Sequence, residues 1–125
     1  MNLESMYRKE LLDLYVERPN YGKLISKTNE ISKKNPVCDD DLHIELELRD
    51  RKIIDAKFTG TACLIGTVST CILMENLKGM KIKEVLKLTK KDMDKFTGVD
   101  IVKTRAGCQL LALDAVKELL KNECS

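Results

Sequence analysis

The chain has 125 residues, of which 34% are charged and 4% are aromatic, and its formal net charge is +2. This length predicts one domain, spanning residues 1–125, with a core of its own. The near balance of charge and the absence of Trp argue against nucleic acid as a partner, and the lack of any run of 18 apolar residues argues against a membrane span.

The first half of the chain predicts one helix and a hairpin. Residues 4–17 carry apolar side chains near the 3.6-residue period of a helix. Residues 18–36 are polar, with loop signals, and form a connector that has room for a short strand. His43 to Leu48 alternate polar and apolar residues, which predicts a strand with one wet face and one buried face. Residues 52–59 then predict a second strand, antiparallel to the first.

The second half of the chain predicts helices. Residues 64–77 have a helical pattern that stops at Lys78-Gly79, and residues 106–121 carry a broad apolar stripe. Between them we expect a short helix over 81–89, a further turn over 90–95, and a loop. The order of elements predicts an α+β fold, in which a small antiparallel sheet of about three strands has helices packed on one face.

The cysteines indicate metal binding or thiol chemistry. The polar N-terminus lacks the apolar stretch of a signal peptide, which predicts a cytoplasmic protein. Thiols stay reduced in the cytoplasm, so cysteines there point to metals or catalysis more often than to disulfides. The chain has five of them, at positions 38, 63, 71, 108 and 124.

Three cysteines lie at the ends of predicted elements. Cys38 precedes the first hairpin strand and Cys63 follows the second, so the hairpin brings them close, and Cys108 joins them if the last helix begins at that edge. With Asp40, three thiolates and a carboxylate would suit zinc or iron in a cluster. The wide spacing leaves open the alternative of ordinary loop cysteines and a solvated acidic turn.

Four segments, in order, resemble the IscU/NifU N-terminal/SufU family of iron–sulfur cluster assembly proteins. They cover nearly the whole chain, and their cysteines are in register with the family's motifs. The segments are M-Y-R-K-E-L-L-D-L-Y-V-E-R-P-N-Y-G-K-L (6–24), N-P-V-C-D-D-D (35–41), D-A-K-F-T-G-T-A-C-L-I-G-T-V-S-T-C (55–71) and R-A-G-C-Q-L-L-A-L-D-A-V (105–116). The resemblance implies a SufE/NifU-like fold.

The resemblance also implies a ligand set and a function. Cys38, Asp40, Cys63 and Cys108 would bind a [2Fe–2S]-type cluster, or zinc at the same site. The protein would be a scaffold and not an enzyme. It would take persulfide sulfur from a pyridoxal-phosphate cysteine desulfurase, with Cys108 as the first acceptor, and pass the cluster to acceptor apoproteins.

Departures from the family's motifs keep other functions open. Asp39 replaces the glycine of the "CGD" motif, and Gly107 stands where the IscU branch has a histidine. The segment I-V-K-T-R (101–105) replaces the LPPVK-like motif, which argues against chaperone docking by that route. Arg105 resembles the SufU branch, where it would steady Asp40 or an incoming persulfide by its charge, although it also fits a plain surface charge.

Three functions therefore compete. The first is the cluster scaffold, which the lack of a SufU-type insertion between Cys63 and Cys108 favours. The second is a zinc-dependent sulfurtransferase that accepts persulfide from the desulfurase and builds no cluster. The third is a structural zinc domain that acts as an adaptor.

The remaining candidates have simple explanations. Cys71 fits a small buried core thiol, with an auxiliary sulfur carrier or fallback ligand as the alternative. Cys124 lies near the chain end and is expected to have no role. His43, the only histidine, is expected to be solvated surface, and Asp39 and Asp41 are expected to be turn residues.

Overall fold

The computed structural model describes residues 3–35, 40–62, 64–97 and 106–121. Three strands form one antiparallel sheet in the order β1-β2-β3, and five helices accompany it. This confirms the predicted α+β fold. The elements in chain order are α1 (Leu3–Glu17), β1 (Asn29–Asn35), β2 (Asp40–Arg49), β3 (Lys52–Thr61), α2 (Leu64–Leu77), α3 (Ile82–Leu86), α4 (Lys90–Thr97) and α5 (Ala106–Leu120).

A two-residue turn joins β2 to β3. Arg49 pairs with Lys52, so Asp50 and Arg51 form the loop, and both have positive φ, at 53° and 63°. Positive φ at both central residues is the mark of a type I′ turn, whose twist matches that of the flanking strands. The predicted hairpin is therefore confirmed, and the turn sets its register as far as Leu48, beyond which the pairing shifts by one residue.

The helices cover one face of the sheet, which we call the covered face. Alternate residues of β2 point into it and are almost completely buried: Leu42, Ile44 and Leu46. α2 packs against β3, α5 packs against β1 and β2, and α2 and α5 contact each other. The core that results is built from the sheet and from α2 to α5, and its buried β3 and helix residues include Ile53, Phe58, Leu73, Met74, Val85, Met93, Val116 and Leu120.

The opposite face, which we call the open face, is crossed by the first part of the predicted connector. Because β1 takes up the later part, the name connector is used from here on for residues 18–28. The connector first lies along the free edge of β3, where the Gly22 N–H donates to the Phe58 carbonyl (2.8 Å) and the Phe58 N–H donates to the Asn20 carbonyl (3.1 Å). It then reaches the other side of β2, where the Thr28 N–H donates to the Leu46 carbonyl (2.8 Å). The connector therefore passes over β2 on its way to β1.

Element bounds differ from the sequence prediction mainly in the sheet. The short strand allowed within the connector region is β1, and β2 begins at Asp40, three residues earlier than predicted. The turn predicted over 90–95 is the helix α4. Among helices of the described residues, none is long and apolar enough to cross a membrane. The single domain over 1–125 stays a prediction.

Candidate functional site

The sheet edge at which β2 begins and β3 ends is the place where the sequence predicts the metal ligands. Asp41 pairs with Thr61 across the two strands. The chain just before β2 and the chain just after β3 therefore meet at one edge, which we call the cysteine edge. Cys38 and Cys63 lie outside the described residues, but β2 and β3, the two strands of the predicted hairpin, begin and end within two residues of them.

Gly60 lets the two strands approach closely at the cysteine edge. It has a φ of +117°, and a Cβ at this position would lie 2.0 Å from the carbonyl oxygen of Asp41. Only glycine fits a backbone position of this kind without movement of the partner strand. The close contact between the Gly60 backbone and the Asp41 carbonyl thus depends on one residue of the F-T-G-T segment.

Tyr21 of the connector fastens this part of β3. Its hydroxyl lies 3.3 Å from the Gly60 carbonyl, to which it donates, and the Gly60 N–H donates to the same hydroxyl oxygen at 3.4 Å. The Tyr21 ring also meets the Phe58 ring edge-on, with centroids 5.2 Å apart. The connector therefore helps to position the strand that leads to Cys63.

For the other two predicted ligands, Asp40 and Cys108, the structure describes only the position of the backbone. Cys108 is the third residue of α5, near the helix start as predicted, and Asp40 is the first residue of β2. The side chains of both lie outside the described part of the structure, as do Asp39, Arg105 and Cys124 altogether. The assignment of Cys38, Asp40, Cys63 and Cys108 as ligands stays a prediction.

A second group of polar side chains, which was not predicted from the sequence, lies on the open face. The β1–β2 register sets Glu30 opposite Glu45 and Ser32 opposite His43. His43 and Glu45 are two residues apart on β2, so their side chains share this face. Donor atoms of Glu30, His43 and Glu45 all lie within 4.8 Å of one another.

Glu45 is the centre of that group, and it is buried to 1% exposure. Its Oε1 accepts a hydrogen bond from the Leu24 N–H of the connector at 2.8 Å, and its Oε2 lies 3.2 Å from His43 Nε2. The Leu24 N–H is the main reason that the pKa of Glu45 lies below its ordinary value, with the charge of Lys27 adding to it against the opposing effect of burial. Glu45 is therefore ionised at neutral pH.

Lys27 supplies positive charge to the same group. Its ammonium contacts the Glu30 carboxylate and lies 3.6 Å from Glu45 Oε2. The hydrogen bond with Glu30 is the largest cause of a raised pKa at Lys27. A groove of about 480 Å³ runs beside these residues and continues past Asp41, Thr59 and Gly60 toward the cysteine edge.

Two expectations about this face were wrong. His43 was expected to be solvated, but it is half-buried, and its Nδ1 lies 2.8 Å from the Ser32 hydroxyl. Asp41 was expected in a turn, but it lies in β2. The wet face of β2 is covered at Glu45 because the connector crosses it. Alternation within one strand does not reveal a segment that comes from elsewhere in the chain.

Cys71 fits the simple explanation given from sequence. It is fully buried on α2, and burial raises the pKa of its thiol to about 11. A thiol of this kind is neutral at physiological pH and is a poor nucleophile and metal ligand. The prediction of a buried core thiol is confirmed.

Comparison with known proteins identifies a matching family and individual proteins to which this chain is similar. The family described as the NifU-like N terminal domain matches residues 6–122. An iron–sulfur cluster assembly scaffold protein IscU from Thermotoga maritima is 28% identical over 97% of this chain and 96% of its own. A zinc-dependent sulfurtransferase SufU from Bacillus subtilis is 29% identical over 78% of this chain and 65% of its own.

The fold has solved counterparts as well. The structure of a nitrogen-fixing NifU-like protein (N-terminal) from Brucella abortus superimposes with a TM-score of 0.77 at 20% identity, covering 98% of this chain and 99% of the other. At that identity the likeness concerns the fold. It agrees with the three-stranded sheet and the helices on its covered face.

Proposed function

The chain belongs to the NifU-like N terminal domain family, and from this premise we propose that it is a scaffold on which an iron–sulfur cluster is assembled. In this proposal the protein is not an enzyme. It accepts sulfur from a cysteine desulfurase, binds iron, builds a [2Fe–2S]-type cluster, and transfers the cluster to acceptor apoproteins. The proposed ligands are Cys38, Asp40, Cys63 and Cys108.

The observation that carries the proposal is the pairing of Asp41 with Thr61. It supports a site at the cysteine edge, because Cys38 and Cys63 are each within three residues of this pair. The close contact between the Gly60 backbone and the Asp41 carbonyl supports it further, since it positions the two strands against each other where the ligands are expected. The family match spans all four proposed ligands.

The donor set suits a cluster that is built and then released. Three thiolates bind iron strongly, whereas a carboxylate is a harder ligand that iron–sulfur chemistry replaces more easily. The four groups together carry four negative charges when deprotonated, and bound metal offsets the repulsion among them. We infer that Asp40 is the ligand that makes transfer to another protein feasible.

Sulfur arrival is proposed to occur at Cys108. A thiolate attacks the terminal sulfur of the desulfurase persulfide, the S–S bond of the donor breaks, and the desulfurase thiolate leaves. The start of a helix favours a thiolate, because the backbone dipoles stabilise negative charge there. Arg105 is proposed to assist by its charge.

A zinc-dependent sulfurtransferase is the second candidate. The observation that favours it is the similarity to the Bacillus subtilis protein of that name. In this case the same four residues hold zinc, and the protein takes persulfide from the desulfurase without building a cluster. The two candidates differ in whether the protein retains iron and sulfide.

An anaerobic reconstitution separates the two. Metal-free protein is incubated with a cysteine desulfurase, cysteine and ferrous iron, desalted, and measured for its visible spectrum and its iron, sulfide and zinc contents. The scaffold predicts charge-transfer bands with matched iron and sulfide, lost in Cys38→Ala. A colourless protein that retains no iron, binds one zinc and accelerates the desulfurase would establish the second candidate instead.

The matched control is Cys71→Ala. It also removes one thiol, but a buried neutral one that the proposal does not use. The scaffold therefore predicts unchanged iron and sulfide in this variant. Equal losses in Cys38→Ala and Cys71→Ala would contradict the assignment of Cys38 as a ligand.

A further inference from the structure

The open face carries a set of donors that the proposed cluster site does not use. Glu30, His43 and Glu45 come from two neighbouring strands and bring two carboxylates and an imidazole together. His43 lies three residues along β2 from Asp40, which corresponds to about 10 Å of strand. The group is thus separate from the cysteine edge and contains no sulfur donor.

The negative charge of this group favours a bound cation. Glu30 and Glu45 are direct cross-strand partners, and like charges in this position destabilise a sheet. Glu45 is almost completely buried, so water does little to offset its charge. The Lys27 ammonium offsets part of this negative charge, but it contacts Glu30 directly and lies 3.6 Å from Glu45 Oε2.

The distances are close to those of a metal site. His43 Nε2 is 3.2 Å from Glu45 Oε2 and 3.9 Å from Glu30 Oε1. Donors bound tetrahedrally to zinc at about 2.0–2.1 Å are about 3.3 Å apart. Glu45 and His43 already satisfy that spacing. Glu30 lies further away, since the three donors are within 4.8 Å of one another, and metal binding requires its 46% exposed side chain to move inward and give up its contact with Lys27.

Surrounding contacts orient the donors. The Leu24 N–H holds Glu45 Oε1, which leaves Oε2 directed at His43. The Ser32 hydroxyl oxygen, 2.8 Å from His43 Nδ1, is able to accept a hydrogen bond from the Nδ1–H. In the metal-bound state the proton lies on Nδ1 and the lone pair of Nε2 faces the metal, which replaces the present contact of Nε2 with Glu45 Oε2. Metal-binding histidines are commonly fixed in this way by a partner on the other ring nitrogen.

From these observations we propose that Glu30, His43 and Glu45 form a second metal site for a divalent ion, from which the metal displaces the Lys27 ammonium. Two carboxylates and one imidazole suit Zn²⁺, Fe²⁺ or Mn²⁺, and they leave further positions for water. The groove beside the group gives an ion access from solvent. The site does not depend on the proposed cluster chemistry.

The chain offers a direct test, because His43 is its only histidine. The probe is Zn²⁺, titrated from zero to four equivalents into the full chain, and the observable is the long-range proton–nitrogen NMR spectrum of the imidazole. Zinc bound at the cysteine edge does not place a ligand on this ring. The proposal predicts a saturable change to a single form with the proton on Nδ1 and the metal on Nε2.

Three variants define the ligands. Glu45→Gln and Glu30→Gln are expected to abolish the saturable change. Glu30 is exposed, so its replacement tests the site even if Glu45→Gln disturbs folding. Glu47→Gln is the matched control, since Glu47 lies on the same strand and face two residues beyond Glu45, and it should leave zinc binding unchanged.

Lys27→Gln tests the displacement. Removal of the competing ammonium is expected to tighten zinc binding by about fivefold or more, because a unit charge within a few ångströms opposes the incoming cation. Imidazole signals that do not respond to four equivalents of zinc would overturn the proposal. So would a response that is as large in Glu30→Gln as in the unmodified chain. Equal affinity in Lys27→Gln would overturn the role given to Lys27.

Discussion

The two faces of the sheet are built on different principles. The covered face is apolar and is sealed by α2 and α5, so its stability comes from many buried side chains whose contributions add up. On the open face, within the part of the chain that the structure describes, the connector lies over Glu45 and donates one backbone hydrogen bond to it. Burial alone therefore does not distinguish core from site, since both faces contain residues with almost no exposure.

The two faces are therefore expected to tolerate different kinds of substitution. On the covered face a substitution is expected to cost energy in proportion to the volume removed. On the open face, size matters less than charge and hydrogen bonding, because a buried carboxylate without its partners is strongly destabilising. Three predictions test this contrast.

The largest loss is expected from Phe58→Ala, which opens a cavity in the covered face. Phe58 is 1% exposed, and truncation of a buried Phe costs about 3–5 kcal/mol. The measurement is the free energy of unfolding from urea denaturation. Ile25→Ala is the control, since Ile25 is fully exposed and should change stability by less than about 0.5 kcal/mol. Similar losses in both variants would refute the contrast.

A smaller loss is expected where the two strands meet at the cysteine edge. Gly60→Ala should cost about 3 kcal/mol, because the new Cβ overlaps the Asp41 carbonyl and the φ of +117° is unfavourable for alanine. Gly79→Ala is the matched control. Its φ is also positive, at +87°, but a Cβ there meets nothing within 4 Å, so about 1 kcal/mol is expected.

Both glycine variants are compared by thermal and urea denaturation. A loss in Gly79→Ala equal to that in Gly60→Ala would mean that backbone strain, and not the close strand approach, accounts for the effect. The sheet at this edge would then accommodate a Cβ at residue 60 at no additional cost.

The smallest effect is expected from Glu45→Gln on the open face, and it should depend on pH. At pH 7 the variant should lose about 1.5–2 kcal/mol, the lower part of the range for a hydrogen bond to a charged group, because the glutamine oxygen still accepts from the Leu24 N–H. The folded protein holds the pKa of Glu45 below its ordinary value of 4.5. The stability that ionised Glu45 contributes is therefore present above pH 4.5 and is lost as the pH falls through the lower folded value.

Unfolding free energies of the two proteins between pH 7 and pH 3 test this prediction. The gap between them should narrow as the pH falls below 4.5. Glu47→Gln, the control on the same strand, should follow the unmodified protein throughout. A gap in Glu45→Gln that stays constant with pH would contradict the ionised state assigned to Glu45.

Much of the fold could be predicted because its elements are strongly patterned. The helix over 64–77 was predicted with both bounds correct, and the last helix to within one residue. β1 was not located, since N-E-I-S-K-K-N carries one aliphatic residue and owes its conformation to pairing with β2. Propensity does not reveal a strand that is stabilised by its neighbour.

The two candidate sites also differ in how far they could be predicted from the sequence. The cysteine edge follows from a local rule, because the residues that flank a hairpin must be close. The open-face group has no such signal. Glu30, Lys27 and His43 are brought together by the β1–β2 register and by the path of the connector, and neither was predicted in detail. A buried Glu45 is the consequence of that path.

The path of the connector also bears on how copies of this chain behave toward one another. An unpaired edge strand is a template on which another chain can add its own strand, the first step of sheet aggregation. At Phe58 the edge of β3 is occupied by Asn20 and Gly22, which take up both its N–H and its carbonyl. A second molecule would have to displace the connector before it extended the sheet from β3.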